Sequence, residues 1–146
     1  MKSYKIFLSI FLFFLLLWGG TALAERVSVQ TSTANIRSGP GTGYEILWQV
    51  EKNHPLNVLR QSGKWFYFSD FENDKGWIHN SLVKKDSTVI TLKDKCNIRS
   101  GPGTGRKILF TVEKGVPFKV ISKKGNWLHI KHADGDKGWI HKSLCW

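Results

Sequence analysis

The residues of this chain with chemistry to offer are two cysteines, five histidines and a glycine-rich nonamer that occurs twice. A cysteine nucleophile needs a histidine placed to activate it, and a zinc centre needs four ligands at short spacings. Neither pattern is present. His129 and His132 are three residues apart, which on a strand turns them to opposite faces. No cysteine or carboxylate cluster adds ligands with zinc spacing. His79 and His141 occupy matching contexts, as a shared structural role requires. Asp74, Asp134 and Asp136 fall in turn-like sequence, so no buried acid–base pair is expected. The chain reads as non-catalytic, with no metal and no cofactor.

The nonamer Asn-Ile-Arg-Ser-Gly-Pro-Gly-Thr-Gly stands at 35–43 and again at 97–105. A phosphate-cradling loop sits between a strand and a helix N-terminus and has its own glycine and lysine spacing. Gly39–Gly43 lacks that spacing, and Tyr44–Val50 does not read as a helix opening. A structural role fits better. Gly39 and Gly101 tolerate backbone angles denied to other residues, and Pro40 and Pro102 have a fixed φ. On an extended segment Ile36 faces inward while Asn35 and Arg37 face outward, and Asn97 and Arg99 repeat this. Both arginines are expected to bond loop carbonyls or a nearby carboxylate.

The elements that hold these residues repeat at an offset of 62 positions. Between 35–83 and 97–145, 26 of 49 residues are identical without a gap. Each copy carries short β-branched and aromatic runs between turn signals, which predicts strands. In the first copy these are Val27–Val29, Ile46–Val50, Leu56–Leu59, Trp65–Phe68 and Gly76–His79. In the second they include Val116–Ile121, Trp127–Lys131 and Gly138–His141. Hairpin turns are predicted at 61–64, 73–75, 122–126 and 133–136. The expected organisation is a leader over 1–24, one domain over 25–84, a linker at 85–87 and a second domain over 88–146. Lys2 and Lys5, the apolar run Ile6–Trp18 and Ala22-Leu23-Ala24 give the leader the pattern of a cleaved signal peptide.

Charge is uneven. The whole chain is +11, yet 25–87 carries eight basic residues against seven acidic ones, while 88–146 carries twelve against four. Such a bias fits either an anionic partner or plain solubility. Arg99, Arg106, Lys107, Lys123 and Lys124 are the candidate anion contacts.

The nonamer, a short apolar run, Gly-x-Trp and then, in the second copy, Asp-Gly-x-x-Gly-Trp-Ile-His-x-Ser-Leu together resemble exported bacterial SH3-like domains. The resemblance spans 26–84 and 88–146. It implies an all-β fold of two tandem SH3-like barrels, with the Asn-x-Arg-Ser-Gly-Pro stretch shaping a long loop between the first two strands. Asn73 departs from the pattern where Gly135 keeps it. The resemblance also implies an aromatic-lined groove near that loop. Tyr44, Trp65 and Trp77 are the candidates in the first copy, and Trp127 and Trp139 in the second. The implied partner is peptidoglycan or an envelope protein in the periplasm or outside the cell. The alternatives are nucleic acid or anionic lipid bound through the basic half, or a targeting role beside a wall hydrolase. Cys96 and Cys145 match the positions of Ala34 and Val83. If the ends of a closed barrel meet, the two cysteines can form a disulfide.

Overall fold

Successive side chains of a strand point to opposite faces, and the chain folds to bury one face of the predicted runs. A computed structural model describes residues 25–146, and the leader expected over 1–24 lies outside the described residues. The first copy contains β1 (Glu25–Val29), β2 (Thr33–Arg37), β3 (Ile46–Glu51), β4 (Pro55–Ser62), β5 (Trp65–Ser69), β6 (Lys75–His79) and β7 (Val83–Lys84). The second contains β8 (Thr88–Ile90), β9 (Cys96–Arg99), β10 (Ile108–Val112), β11 (Pro117–Lys124), β12 (Trp127–Lys131) and β13 (Lys137–His141). A 3-10 turn follows β6 at Asn80–Leu82 and another follows β13 at Lys142–Leu144.

The first sheet runs β3-β2-β6-β5-β4-β1-β7 and the second β10-β9-β13-β12-β11-β8. Each curls so that its opening and closing segments meet. Val29 pairs with Val83 in the first copy, and Thr91 pairs with Cys145 at the equivalent place in the second. Both are small all-β barrels.

Ile36, Leu56, Phe68 and Ile78 are fully buried in the first barrel, and Ile98, Phe118, Ile130 and Ile140 in the second. These are the same four positions at the 62-residue offset. Each such side chain contributes about 1.5–3 kcal/mol through burial. The repeat therefore preserves the core as well as the turns.

Two features differ from the strand reading. Asn35–Arg37 and Asn97–Arg99 belong to strands, so only the glycine-rich part of each nonamer is loop. Their alternation (Ile36 in, Asn35 and Arg37 out) suits a strand paired on both sides, with β3 and β6. In addition, the first barrel has seven strands rather than five, because β2 and the two-residue β7 join the sheet.

The turns carry their expected residues. Gly63 and Gly125 have φ of 57° and 58° in two-residue hairpin loops. Asn73 has φ of 61° where Gly135 has 105°. Asparagine is among the few non-glycine residues that visit this left-handed region readily, so the departure at Asn73 preserves the turn.

The barrels touch. Glu25 pairs with Lys85 at 3.0 Å, and Asp86 pairs with both Lys84 (3.3 Å) and Lys119 (3.4 Å). The Phe71 ring lies beside Gly115.

Candidate functional site

Besides a recess around Trp48 in the first barrel and its counterpart at Phe110 in the second, each barrel carries a recess beside the nonamer built from equivalent residues. In the first, Asn35 and Arg37 from β2, Thr42 from the loop, Trp65 from β5 and His79 from β6 surround a cavity of about 360 Å³. In the second, Asn97, Arg99, Thr104, Trp127 and His141 surround one of about 240 Å³. Leu82 and Leu144 also occupy matching places on the two walls.

The arginines set the loop wall. Arg37 Nη1 donates to the carbonyls of Thr42 and Tyr44, both at 3.0 Å. Arg99 Nη1 donates to Thr104 and Arg106 at 2.9 and 3.0 Å. A single Nη1 satisfies two carbonyls at once because it carries two N–H groups. With that nitrogen holding the loop, the nonamer serves as the frame of the recess.

Pairing of β5 with β6 sets the aromatic wall. Trp65 and His79 are directly opposite, with ring centroids 5.2 Å apart and planes at 88°. Trp127 and His141 repeat this at 5.2 Å and 87°. His79 Nδ1 accepts from the Ser81 backbone N–H at 3.2 Å, and His141 Nδ1 from Ser143 at 3.3 Å. Each histidine thus caps the 3-10 turn with one nitrogen and packs its ring perpendicular to the tryptophan.

Of the candidate groove residues, Trp65 and Trp127 line the recesses. Trp77 and Trp139 stand on the same outer sheet face, one cross-strand pair further along, and line neither recess. Trp77 is only 8% exposed. Tyr67 packs against it at 5.1 Å, and Arg60 lies 4.6 Å from the Tyr67 ring and 5.4 Å from the Trp77 ring. In the second barrel His129 stacks flat on Trp139 at 4.7 Å and 8°, with Ser122 at the place of Arg60. Tyr44 is half exposed and lies over Gly39, where its ring leaves no room for a Cβ. Arg106 takes the equivalent position over Gly101. Proline 40 and Pro102 hold the loop between the glycines.

The recesses differ in charge. Lys93, Asp94 and Lys95 line the second, whereas among the described residues the one charged side chain on the wall of the first is Arg37. Of the candidate anion contacts, Arg99 is on the wall of the second recess. Lys124 pairs across the sheet with Trp127, and Lys123 with Leu128. Arg106 and Lys107 belong to the loop, where the Lys107 carbonyl accepts from the Ser100 N–H at 2.8 Å. Sequence reasoning missed the part played by His79, His141, Thr42, Thr104, Lys93 and Lys95. The identical Lys-Gly-Trp-Ile-His segments signalled the histidines, but nothing local signalled the lysines.

The cysteines are both free thiols here. Cys96 is buried and its Sγ donates to the Lys93 carbonyl at 3.0 Å. Cys145 packs against the cluster that holds Cys96. Burial pushes the Cys145 thiol up to about 12, with Cys96 adding to the shift, and burial also raises the Cys96 thiol. His132 pairs with Asp134 at 3.0 Å and lies edge-on to Phe118, well apart in role from the stacked His129.

Two family models, each described as a bacterial SH3 domain, match 32–84 and 93–146. The "Putative N-acetylmuramoyl-L-alanine amidase YrvJ" of Bacillus subtilis is 28% identical over 82% of this chain and 25% of its own length. The "Probable cell wall amidase LytH" of Staphylococcus epidermidis is 34% identical over 41% of this chain and 21% of its own. The chain therefore spans about a quarter or less of these relatives. A solved NlpC/P60 family protein from Bacillus cereus aligns with 84% of this chain and 56% of its own, at 13% identity and a TM-score of 0.37.

Proposed function

The chain belongs to the bacterial SH3 domain family, and on that footing we propose that it is an exported, non-catalytic binding module whose paired recesses hold peptidoglycan. The observation that carries this reading is the duplication of the recess. Asparagine, arginine, threonine, tryptophan and histidine recur at one offset and around one cavity in each barrel. A flat tryptophan wall suits the apolar face of a sugar ring or an extended peptide. The Asn and Thr side chains beside it supply hydrogen-bonding groups for the polar edge. The relation to proteins named as an N-acetylmuramoyl-L-alanine amidase and a cell wall amidase supports the same partner class.

The thiols support a binding role over a hydrolytic one. A nucleophilic cysteine has its pKa lowered by a cationic or histidine neighbour. Burial here moves both in the opposite direction. The lysines flanking the second recess favour carboxylate-bearing stretches of a peptide stem, with the charge steering encounter more than setting affinity.

Sedimentation with purified sacculi tests this reading. Trp65→Ala and Trp127→Ala are each expected to weaken retention, and the double variant to abolish it while circular dichroism stays unchanged. Retention of the folded double variant at the level of the parent protein would overturn the assignment of the recesses.

A further inference from the structure

At the seam between the barrels, four lysines converge on a cavity of about 220 Å³. Lys52 and Lys84 come from the first barrel, and Lys119 and Lys131 from the second. Asp86, in the linker, is their one acidic neighbour on the wall, and it reaches Lys84 at 3.3 Å and Lys119 at 3.4 Å. Among the described residues, Lys52 and Lys131 have no carboxylate partner. His132 also lines the cavity, but its Nδ1 is turned to Asp134.

Four lysines and one carboxylate on the wall leave a surplus of positive charge, drawn from two barrels. Like charges brought together across a seam repel, and a compact anion with several oxygens relieves that repulsion. Burial alone would raise the Asp86 carboxyl, but Lys84 and Lys119 outweigh it and hold it below the usual range. The carboxylate therefore stays ionised and keeps two of the ammonium groups oriented toward the cavity.

We propose that this inter-barrel cavity is a phosphate-binding seat, in which Lys52 and Lys131 grip a phosphoryl group between the barrels while Asp86 positions Lys84 and Lys119. Phosphate matches the seat through its charge and its tetrahedral set of acceptors, each able to meet an ammonium donor. Because each barrel supplies two of the lysines, occupancy also couples their orientation. The phosphoryl group is carried either by a wall polymer or by a lipid headgroup. The seat shares no residue with either tryptophan recess, so its test is independent of the peptidoglycan reading.

The experiment titrates inorganic phosphate into protein expressed from the full chain, at constant ionic strength held with chloride, and follows amide shifts by NMR. Saturable shifts are expected around Lys52, Asp86, Lys119 and Lys131, with resonances near Trp65 and Trp127 unmoved. Lys52→Gln combined with Lys131→Gln should weaken binding roughly tenfold, as expected for losing two partly screened charge contacts. Equal shifts with chloride alone, or unchanged binding by the folded double variant, would overturn the seat. Glycerol-phosphate oligomers and phosphatidylglycerol vesicles then distinguish the sources. Stronger, lysine-dependent retention by the oligomers assigns a polymer and by the vesicles a lipid, whereas lysine-independent retention by both overturns the proposal.

Discussion

The guanidinium of Arg26, in the opening strand of the first barrel, lies 4.0 Å from the centroid of the Trp146 ring in the second. The same side chain donates from Nη2 to the Thr88 carbonyl at 3.4 Å. Burial lowers its pKa, yet arginine remains charged at any physiological pH. One side chain thus holds the second barrel by a ring and by a carbonyl.

Loss of this clasp is expected to loosen the pair without unfolding either barrel. A partly desolvated cation–π contact contributes roughly 0.5–2 kcal/mol. For Arg26→Ala, small-angle X-ray scattering should show a larger and more variable separation, while each barrel's amide spectrum stays in place. An unchanged scattering profile would show that the clasp does not hold the barrels together.

His54 makes stability depend on pH. It is 9% exposed, its Nε2 is buried without a hydrogen-bond partner among the described residues, and its ring meets Phe71 edge-on at 5.9 Å. Burial lowers its pKa from 6.5 to about 4. The unfolded chain therefore binds a proton near pH 6.5 that the folded chain refuses until about pH 4. Stability from this group is intact above pH 6.5 and is lost as pH falls from there toward 4, by up to ~3 kcal/mol. The second barrel has Val116 at the equivalent place. Urea midpoints of His54→Val should equal or exceed the parent's at pH 7 and fall less between pH 6.5 and 4.5. Parallel pH curves for the two proteins would rule out His54 as the source.

Cys96 and Cys145 are expected to form a disulfide only slowly. They share one apolar cluster at the meeting ends of the second barrel, but burial keeps both mainly as thiols near neutral pH. Since the thiolate is the reactive form, air oxidation at pH 7 should be sluggish and a disulfide-exchange catalyst should accelerate it. The closed loop would then add up to ~4 kcal/mol. Non-reducing mass spectrometry of catalyst-treated protein is expected to show loss of two hydrogens. Persistent free thiols after such treatment would exclude the staple.

Gly76 and Gly138 open the same way against their cores. A Cβ on Gly76 would collide with Ile36 Cγ2, and one on Gly138 with Ile98 Cγ2. Gly76→Ala and Gly138→Ala should each cost about 1–3 kcal/mol, as overpacking does. Because each isoleucine lies next to Asn35 or Asn97 in the same strand, the matching recess should lose ligand affinity as well. Wild-type denaturation midpoints in both variants would show that the backbone yields instead.

Much of this molecule was legible in the residue order. The 62-residue repeat shows by comparing the chain with itself, while Gly63 and Gly125 in their turns and the outward placement of Arg37 and Arg99 depend on neighbours within a few positions. Local chemistry suffices for these, because φ preferences and strand alternation act over one or two residues. The exposed Leu47, Leu59, Leu109 and Ile121 already escaped that logic. Each sits where strand register slips, and a bulge turns an apolar side chain outward.

Sequence alone therefore determined that the chain is a duplicated β-structure with a framed loop in each copy. The tertiary structure decided which tryptophans wall a recess, because Trp65 and Trp77 share a sheet face and only the cross-strand partners, His79 or Tyr67, tell them apart. It also decided that Lys52 and Lys131 meet at the seam. No spacing rule announces such a pair, since charges distant along the chain become neighbours only when two barrels pack side by side.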